Sequence, residues 1–138
     1  MKDSPLWCGL LLIALALACA VPLRTARAAD AGDGVALVYL RHTSASLTIQ
    51  ENADPDVQTD LMTALDRLAP QNAPWVHGSE GPDDMPAHVK AMLNGVSLHV
   101  PVAAGRLGLG TWQGIYLVEH RRRPHSREVI LQFVGSRK

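Results

Sequence analysis

Residues 77–88 contain more chemically active side chains than an ordinary connector needs. These twelve residues include two histidines, three acids, two glycines and two prolines. His77 and His88 with a carboxylate could bind a divalent ion, magnesium or zinc, because imidazole and carboxylate are common ligands of such ions. The spacing of the two histidines matches no strong zinc signature. The alternative is a helix start, which accounts for Asp84 and Pro86. That alternative leaves four residues unexplained: His77, Glu80, Asp83 and His88.

Further polar groups fall at the ends of predicted elements, where functional side chains are usually mounted. One group contains His42, Thr43 and Ser44, which offer an imidazole and two hydroxyls to an anionic oxygen. Arg106 could add a forked contact to a phosphate. Trp112 is interpreted as a core or interface residue rather than a stacking platform. The other groups are residues 51–56, and residues 111–113 with Glu119 and His120.

The apolar patterning predicts an α+β domain, an antiparallel sheet with two helices. Residues 35–40 form a continuous apolar run that is typical of a buried strand. Asp54 as N-cap predicts a helix that ends before Pro70, with an apolar face that should lie on a sheet. A second, short helix is predicted at residues 86–94. Further strands are predicted at residues 47–49, 96–102, 115–118 and 129–134.

Length and composition restrict the possible classes of protein and site. The chain has 138 residues, 47% of them hydrophobic, which suits one domain with its own core. Its formal net charge is zero, so the composition does not indicate a nucleic-acid partner. Cys8 and Cys19 both lie in the first twenty residues, which excludes a disulfide framework or a thiolate metal site in the folded domain. The basic run at residues 121–123 is interpreted as a solvated turn.

The N-terminal thirty residues resemble a targeting segment. Residues 6–21 are almost entirely apolar, and residues 26–28 resemble the cleavage site of a secretory signal peptide. The run is too short for a stable membrane span, so none is expected. Against export, Asp3 offsets Lys2, and Arg24 and Arg27 lie in the cleavage region. The chain is therefore divided into a signal-like or altered segment, residues 1–30, and a folded domain, residues 31–138.

Three motifs resemble those of the YjbQ family, also described as the secondary thiamine-phosphate synthase family. The motifs are HTSASLTIQENADPDV at residues 42–57, EGPDDMPAH at residues 80–88, and GRLGLGTWQGIY at residues 105–116. The resemblance runs from about residue 32 to residue 135, with the motifs in the expected order. It implies an α+β domain that forms a homotrimer with polar pockets near the subunit contacts. It also implies an enzyme that joins a pyrimidine methyl pyrophosphate to a thiazole phosphate with release of pyrophosphate.

The matched positions imply roles for individual residues. The residues implied to be catalytic are His42, Glu51, Asn52, His88 and Gln113. Those implied to bind the phosphorylated substrate are Thr43, Ser44, Asp83, Arg106 and Glu119. His77 and His88 are the expected ligands of a divalent ion, which could also arrive with the substrate. Such an ion would neutralise the charge of the leaving pyrophosphate.

The resemblance also leaves alternatives open. Family members carry two strands and a helix before the position of Gly32, where this chain has its signal-like segment. We therefore expect an unpaired sheet edge and an uncovered core face. The family's substrates imply a cytoplasmic protein, and export is the alternative if residues 1–28 act as a signal peptide. The alternative function is a trimeric protein that binds a phosphorylated or anionic metabolite without turnover, and a third is a non-functional fragment.

Overall fold

The computed structural model describes residues 7–15, 20–22 and 30–137, which form two helices and eight strands. The strands are β1 (Trp7–Leu15), β2 (Ala20–Pro22), β3 (Ala31–Leu40), β4 (Ala45–Glu51), β5 (Ser97–Ala103), β6 (Arg106–Leu107), β7 (Gln113–Glu119) and β8 (His125–Arg137). The helices are α1 (Pro55–Leu68) and α2 (Asp84–Asn94). Two helices among antiparallel strands confirm the predicted α+β class.

Two antiparallel sheets enclose the core of the domain. The first sheet has the strand order β1-β8-β3-β5-β6, and the second has the order β2-β7-β4. Side chains from both sheets form one buried apolar cluster, which consists of Val38, Leu40, Ala45, Leu47, Leu117 and Val129. Because interiors of this kind are close-packed, the polar residues at the ends of β4 and β7 are held in fixed positions.

Helix α1 begins as predicted but leaves much of its apolar face exposed. The Asp54 side chain accepts a hydrogen bond from the backbone N–H of Asp56 at 2.9 Å, and Pro55 lies at the first helical position. Within the described part of the chain, no residue of α1 is buried, and Leu68 is 66% exposed. The prediction that this face lies on a sheet of the same chain is therefore wrong. The helix that packs on β4 is α2.

Helix α2 begins at Asp84, two residues earlier than predicted. Pro86 then lies in the first turn, where backbone N–H groups have no acceptor within the helix, so its missing donor is tolerated. Gly95 follows the helix with a φ of 89°, a conformation that glycine adopts readily. Since α2 packs on β4, His88 is brought beside the segment that precedes this strand.

The signal-like segment contributes strands to both sheets. β1 pairs with β8 from Trp7 opposite Phe133 to Leu15 opposite His125. β2 pairs with β7. The prediction of an unpaired sheet edge is therefore wrong at β7 and β8. Strands pair through backbone hydrogen bonds, which an apolar segment can form. That this segment acts as a signal stays a prediction.

Parts of the N-terminal predictions lie outside the described residues. This holds for the cleavage-site resemblance at residues 26–28 and for Cys19. Among the residues described, none of the helices combines the length and the apolar character that crossing a membrane would require.

Candidate functional site

Three potential ligand atoms converge at the start of α2. Nε2 of His77 lies 2.8 Å from Oδ2 of Asp84, and Nε2 of His88 lies 3.4 Å from the same oxygen. The ligand atoms of the three residues all lie within 4.8 Å of one another. Asp84 and His88 share one face of α2 because they are four residues apart. The loop before the helix brings His77 against them, and together these three residues form the ligand cluster.

Asp84 is the buried member of the ligand cluster, with a side chain that is only 2% exposed. Nη1 of Arg121 donates to Oδ1 of Asp84, which leaves Oδ2 facing the histidines. Burial alone would raise the pKa of Asp84, but the hydrogen bond from His77 and the charge of Arg121 outweigh it and hold the pKa below its ordinary value. The carboxylate is therefore ionised at neutral pH.

Arg121 ties the loop of the ligand cluster to the end of β7. Its Nη2 donates to the backbone oxygen of Glu80 at 2.8 Å, and its Nε lies 3.3 Å from Oδ2 of Asp83. The side chain of Arg121 is buried, whereas Arg122 and Arg123 are exposed. The predicted solvated turn is therefore wrong for Arg121, because two carboxylates and a carbonyl compensate for the burial of its charge.

Asp83, implied to bind substrate, makes its contacts with the protein itself. Its Oδ2 accepts a hydrogen bond from the backbone N–H of Arg122 at 2.8 Å. Burial would raise the pKa of Asp83, but this bond and the neighbouring Arg121 outweigh it and lower the pKa below its ordinary value. These contacts fasten the loop, and a role toward a substrate stays a prediction.

A backbone hydrogen bond determines which nitrogen of His88 faces the ligand cluster. Nδ1 of His88 lies 3.0 Å from the backbone oxygen of Thr43. Because a carbonyl oxygen only accepts, Nδ1 carries the proton of the neutral ring. Nε2, which lies 3.4 Å from Oδ2 of Asp84, then keeps a lone pair that could bind an ion. Metal-binding histidines commonly donate their other ring N–H to a backbone carbonyl in this way.

An open groove of about 760 Å³ adjoins the ligand cluster. Its lining residues are Tyr39, Leu40, Arg41, His42, Thr43, His88, Ala91, Met92, Gly95 and Val96. The groove is formed by the end of β3, the turn that follows it and one side of α2, and His88 belongs to both the groove and the ligand cluster. Small-molecule sites commonly combine an apolar wall with a few convergent polar groups, as this groove does.

A buried ion pair lies beneath the polar end of the groove. Nε of Arg127 donates to Oε2 of Glu119 at 2.7 Å, and Nη2 donates to Oε1 at 2.6 Å. Nη2 also lies 3.2 Å from Oγ of Ser44. Both side chains of the pair are buried, and Ser44 is buried with them. The structure therefore places Ser44 and Glu119, both implied to bind substrate, in the support of the groove rather than on its surface.

Arg127 was not predicted to belong to the site, and Asp84 was predicted only as a helix-start residue. Arg127 precedes Val129 by two residues on β8, so strand alternation puts it on the core face, and this signal could have revealed a buried charge. Asp84 precedes His88 by four residues, a spacing that places two side chains next to each other on one face of a helix, where both could bind one ion. The predicted start at Pro86 left Asp84 outside the helix and concealed that spacing.

Other residues implied to be catalytic lie at the opposite end of β4 and β7. In the register of these strands, Ala45 faces Glu119 and Glu51 faces Gln113. Six residue steps of about 3.3 Å separate the two ends by about 20 Å. Nδ2 of Asn52 donates to the backbone oxygen of Gln113 at 3.3 Å. Within one chain, Glu51, Asn52 and Gln113 thus form a second polar group, away from the ligand cluster.

Arg106, Trp112 and His120 lie in three different surroundings. Arg106 is exposed on β6 at the edge of the larger sheet, and its contact with a phosphate stays a prediction. Trp112 is 65% exposed, so its interpretation as a core residue is wrong, while the interface alternative stays a prediction. His120 is buried with Nε2 2.9 Å from Oγ of Ser46, and burial together with the charge of Lys90 lowers its pKa to about 4.

Comparison with known sequences identifies close relatives of this chain. The family described as UPF0047 protein YjbQ-like matches residues 23–136. A UPF0047 protein from Synechocystis is 56% identical over 103 residues, which make up 74% of this chain and 70% of that protein. The YjbQ protein of Salmonella typhimurium is 49% identical over 102 residues, 74% of each chain.

Solved structures show the same fold. A conserved hypothetical protein from Thermus thermophilus superposes with a TM-score of 0.81 at 36% identity, covering 91% of this chain and 99% of that one. A YbjQ-like protein of unknown function from Sulfolobus solfataricus gives a TM-score of 0.85 over 97% of this chain and 100% of that one. Its 20% identity shows the fold alone. Sequence and fold agree, and the chain belongs to the YjbQ (UPF0047) family.

Proposed function

We propose that the ligand cluster of His77, Asp84 and His88 holds a divalent metal ion and that the adjoining groove binds a phosphorylated small molecule. The observation that carries this proposal is the convergence of two imidazole nitrogens on an ionised, buried carboxylate. The bond from Nδ1 of His88 to Thr43 supports it, because Nε2 is left for an ion. Both histidines are partly exposed, so a fourth coordination position would be open to a water or a substrate oxygen.

The ligand set favours zinc over magnesium. Magnesium prefers oxygen ligands and keeps several waters, whereas two imidazoles and one carboxylate are a set found in catalytic zinc sites. Two ligand atoms about 2.1 Å from one tetrahedral ion lie about 3.4 Å apart. Nε2 of His88 and Oδ2 of Asp84 are 3.4 Å apart. His77, whose Nε2 is hydrogen-bonded to the same oxygen, would need to exchange that bond for the ion.

The reaction proposed for this site is a displacement of the thiamine-phosphate synthase type. The thiazole nitrogen would form a bond to the methylene carbon of the pyrimidine, the carbon–oxygen bond would break, and pyrophosphate would leave with the electron pair. The resemblance suggests this pair of substrates. Such a displacement depends on positive charge and N–H donors placed around the leaving oxygens more than on a strong base. His42 and His88, the latter a member of the ligand cluster, line one groove and could act on the same leaving group.

We also propose a homotrimer, as the resemblance implies. Leu61, Leu68 and Trp112 are large apolar side chains that stay exposed in the single chain, and groups of such residues mark interaction surfaces. The second polar group lies about 20 Å along β4 and β7 from the strand ends at Ala45 and Glu119 within one chain. Glu51 and Gln113 would therefore contribute to catalysis only across a subunit boundary. Cytosolic substrates of this kind would place the protein in the cytoplasm.

Zinc binding is the first test of the proposed site. Metal-free protein would be titrated with zinc by isothermal calorimetry, and we expect one ion per chain. His88→Ala should abolish binding, because it removes a ligand that two contacts hold in place. His99→Ala is the matched control, since His99 is an exposed histidine on β5 away from the cluster. Equal zinc affinity in the two variants would contradict the metal site.

Turnover is the second test. The metal-loaded protein would be incubated with the pyrimidine pyrophosphate and the thiazole phosphate, and both released pyrophosphate and thiamine phosphate would be measured. Turnover that is lost in folded His88→Ala and kept in His99→Ala would support the transferase. Tight binding of the precursors without product would favour the binding-protein alternative instead.

A further inference from the structure

We propose that Arg127 is a positioning residue: acting through Ser44, it holds His42 with its proton on Nε2, so that the ring offers an N–H donor to an anionic oxygen in the groove. This inference rests on the proposed function, because the groove is the one assigned to a phosphorylated molecule. It adds a residue that lies beneath the groove and does not line it. It also gives His42 one defined role, that of a hydrogen-bond donor.

The directions of the hydrogen bonds around His42 follow from Arg127, which contacts Ser44, which in turn contacts His42. A guanidinium group only donates, so Nη2 of Arg127 donates to Oγ of Ser44 at 3.2 Å. The Ser44 hydroxyl can then donate its own hydrogen to Nδ1 of His42, which is 3.2 Å away. The backbone N–H of Ser44 donates to the same nitrogen at 3.1 Å. With two donors directed at it, Nδ1 of His42 accepts and carries no proton.

The second ring nitrogen of His42 must then carry the proton. A neutral imidazole has one N–H group, so the proton lies on Nε2. Burial and the charge of Arg127 lower the pKa of His42, with His125 and His88 acting in the same direction and Glu119 opposing them. The ring is therefore neutral at neutral pH. A neutral ring with Nε2–H can donate to a phosphate oxygen but cannot take up a proton at that atom.

The Arg127 side chain suits this role because it cannot turn away. It is buried, and two of its nitrogens bind the two oxygens of Glu119. That forked contact fixes the plane of the guanidinium, and Nη2 reaches Ser44 from the same plane. A lysine at this position could pair with Glu119, but it would lack the fixed fork that directs a second donor at Ser44.

The tautomer of His42 can be read directly by NMR. Protein labelled with ¹⁵N-histidine, free of metal and ligand, would be examined in long-range ¹H–¹⁵N correlation spectra at pH 7.5. We expect the wild-type protein to show His42 with its proton on Nε2. In Ser44→Ala the hydroxyl link is removed, and we expect a measurable population with the proton on Nδ1. Ser46→Ala is the matched control, because Ser46 is equally buried but contacts His120.

Binding of inorganic phosphate gives the second readout. One lost neutral hydrogen bond corresponds to a weakening of about three- to tenfold, which is the change expected in Ser44→Ala and not in Ser46→Ala. Arg127→Lys keeps the charge and should shift the tautomer in the same direction as Ser44→Ala. If Arg127→Lys does not fold, Glu119→Gln, which loosens the same pair, takes its place.

Three results would overturn the inference. The first is a proton on Nδ1 of His42 in the wild-type protein. The second is an identical tautomer balance in Ser44→Ala and Ser46→Ala. The third is an unchanged tautomer in the variant that alters the Arg127 pair, which would assign the effect to Ser44 alone. Because the tautomer is read without metal or turnover, these results are distinct from a failure of the proposed function.

Discussion

The guanidinium of Arg121 and the carboxylate of Asp84, which are 37 positions apart in the sequence, form an ion pair inside the protein. The two oxygens of the carboxylate therefore have different partners: Oδ1 accepts from Arg121, and Oδ2 faces His77. The positive charge of Arg121 keeps the Asp84 carboxylate ionised. The same charge partly neutralises the carboxylate and so weakens its attraction for an incoming metal ion. We infer that the two imidazoles would contribute as much to holding a metal ion as the carboxylate does.

Replacing Asp84 with asparagine should reduce zinc affinity strongly. The asparagine would keep the shape of the side chain and an oxygen for Arg121, but it would lack the negative charge that the ion needs. Changes in residues that merely support metal ligands typically cost about 10- to 100-fold in affinity, so the loss of a ligand should exceed about 100-fold. The measurement is a zinc titration of Asp84→Asn. Asp60→Asn, which changes an exposed acid on α1, is the control.

The same titration could contradict the site. If Asp84→Asn and Asp60→Asn bound zinc with the affinity of the unaltered protein, the carboxylate would be no ligand. The cluster would then be explained as a loop anchor, with Asp84 serving Arg121 and the backbone of Glu80 held by the same guanidinium.

Local signals in the sequence predicted most of the secondary structure. Asp54 and Pro55 marked the start of α1, and continuous apolar runs marked β3 and β8. These features act over a few residues, so they can be read without knowledge of the fold. The uncovered face of α1 could not be predicted in this way, because helical periodicity shows that a face is apolar and does not show what covers it.

The support of the site depends on contacts that are distant in sequence. Arg127 lies 83 positions from Ser44, and Asp84 lies 37 positions from Arg121. His77 and His88 could be predicted as site residues because both lie in one short polar stretch. The family resemblance implied a substrate-binding role for Glu119, and nothing in the sequence alone showed that Arg127 is its partner. Such pairs become visible only when the register of the strands is known.

Removing the carboxylate of Glu119 should destabilise the protein far more than removing a surface pair. Glu119→Ala would leave Arg127 buried without its counter-ion, which typically costs about 3–5 kcal/mol in the free energy of unfolding. Arg41→Ala breaks the exposed pair with Glu128 and should cost about 0–1 kcal/mol. Urea unfolding of both variants measures the difference. Unchanged stability together with lost substrate binding in Glu119→Ala would contradict the structural role and support the implied substrate-binding role.

A charge on the apolar face of α1 should disrupt the proposed trimer. Leu68 is 66% exposed in the single chain, so Leu68→Glu should fold, yet a buried carboxylate in a subunit contact would be strongly unfavourable. Size-exclusion chromatography with light scattering should show monomers for Leu68→Glu. Thr63→Glu, an exposed position of the same helix, should remain trimeric. A trimer in both variants would mean that this face lies outside the contact.

The stability of the protein should fall as the pH decreases from 6.5 toward 4, and His120 should cause part of that fall. The pKa of His120 is lowered from 6.5 to about 4 by burial and by Lys90, so the unfolded chain binds a proton in this range and the folded protein does not. Stability therefore rises with pH across this window, and the shift corresponds to about 3 kcal/mol.

His120→Gln keeps a polar contact toward Ser46 without titrating, and its stability should decline less by about that amount. Urea unfolding at several pH values measures both, with His99→Gln, an exposed residue of β5, expected to behave like the unaltered protein. Parallel pH curves for the unaltered protein and His120→Gln would show that the ring of His120 is charged in the folded state or reaches water.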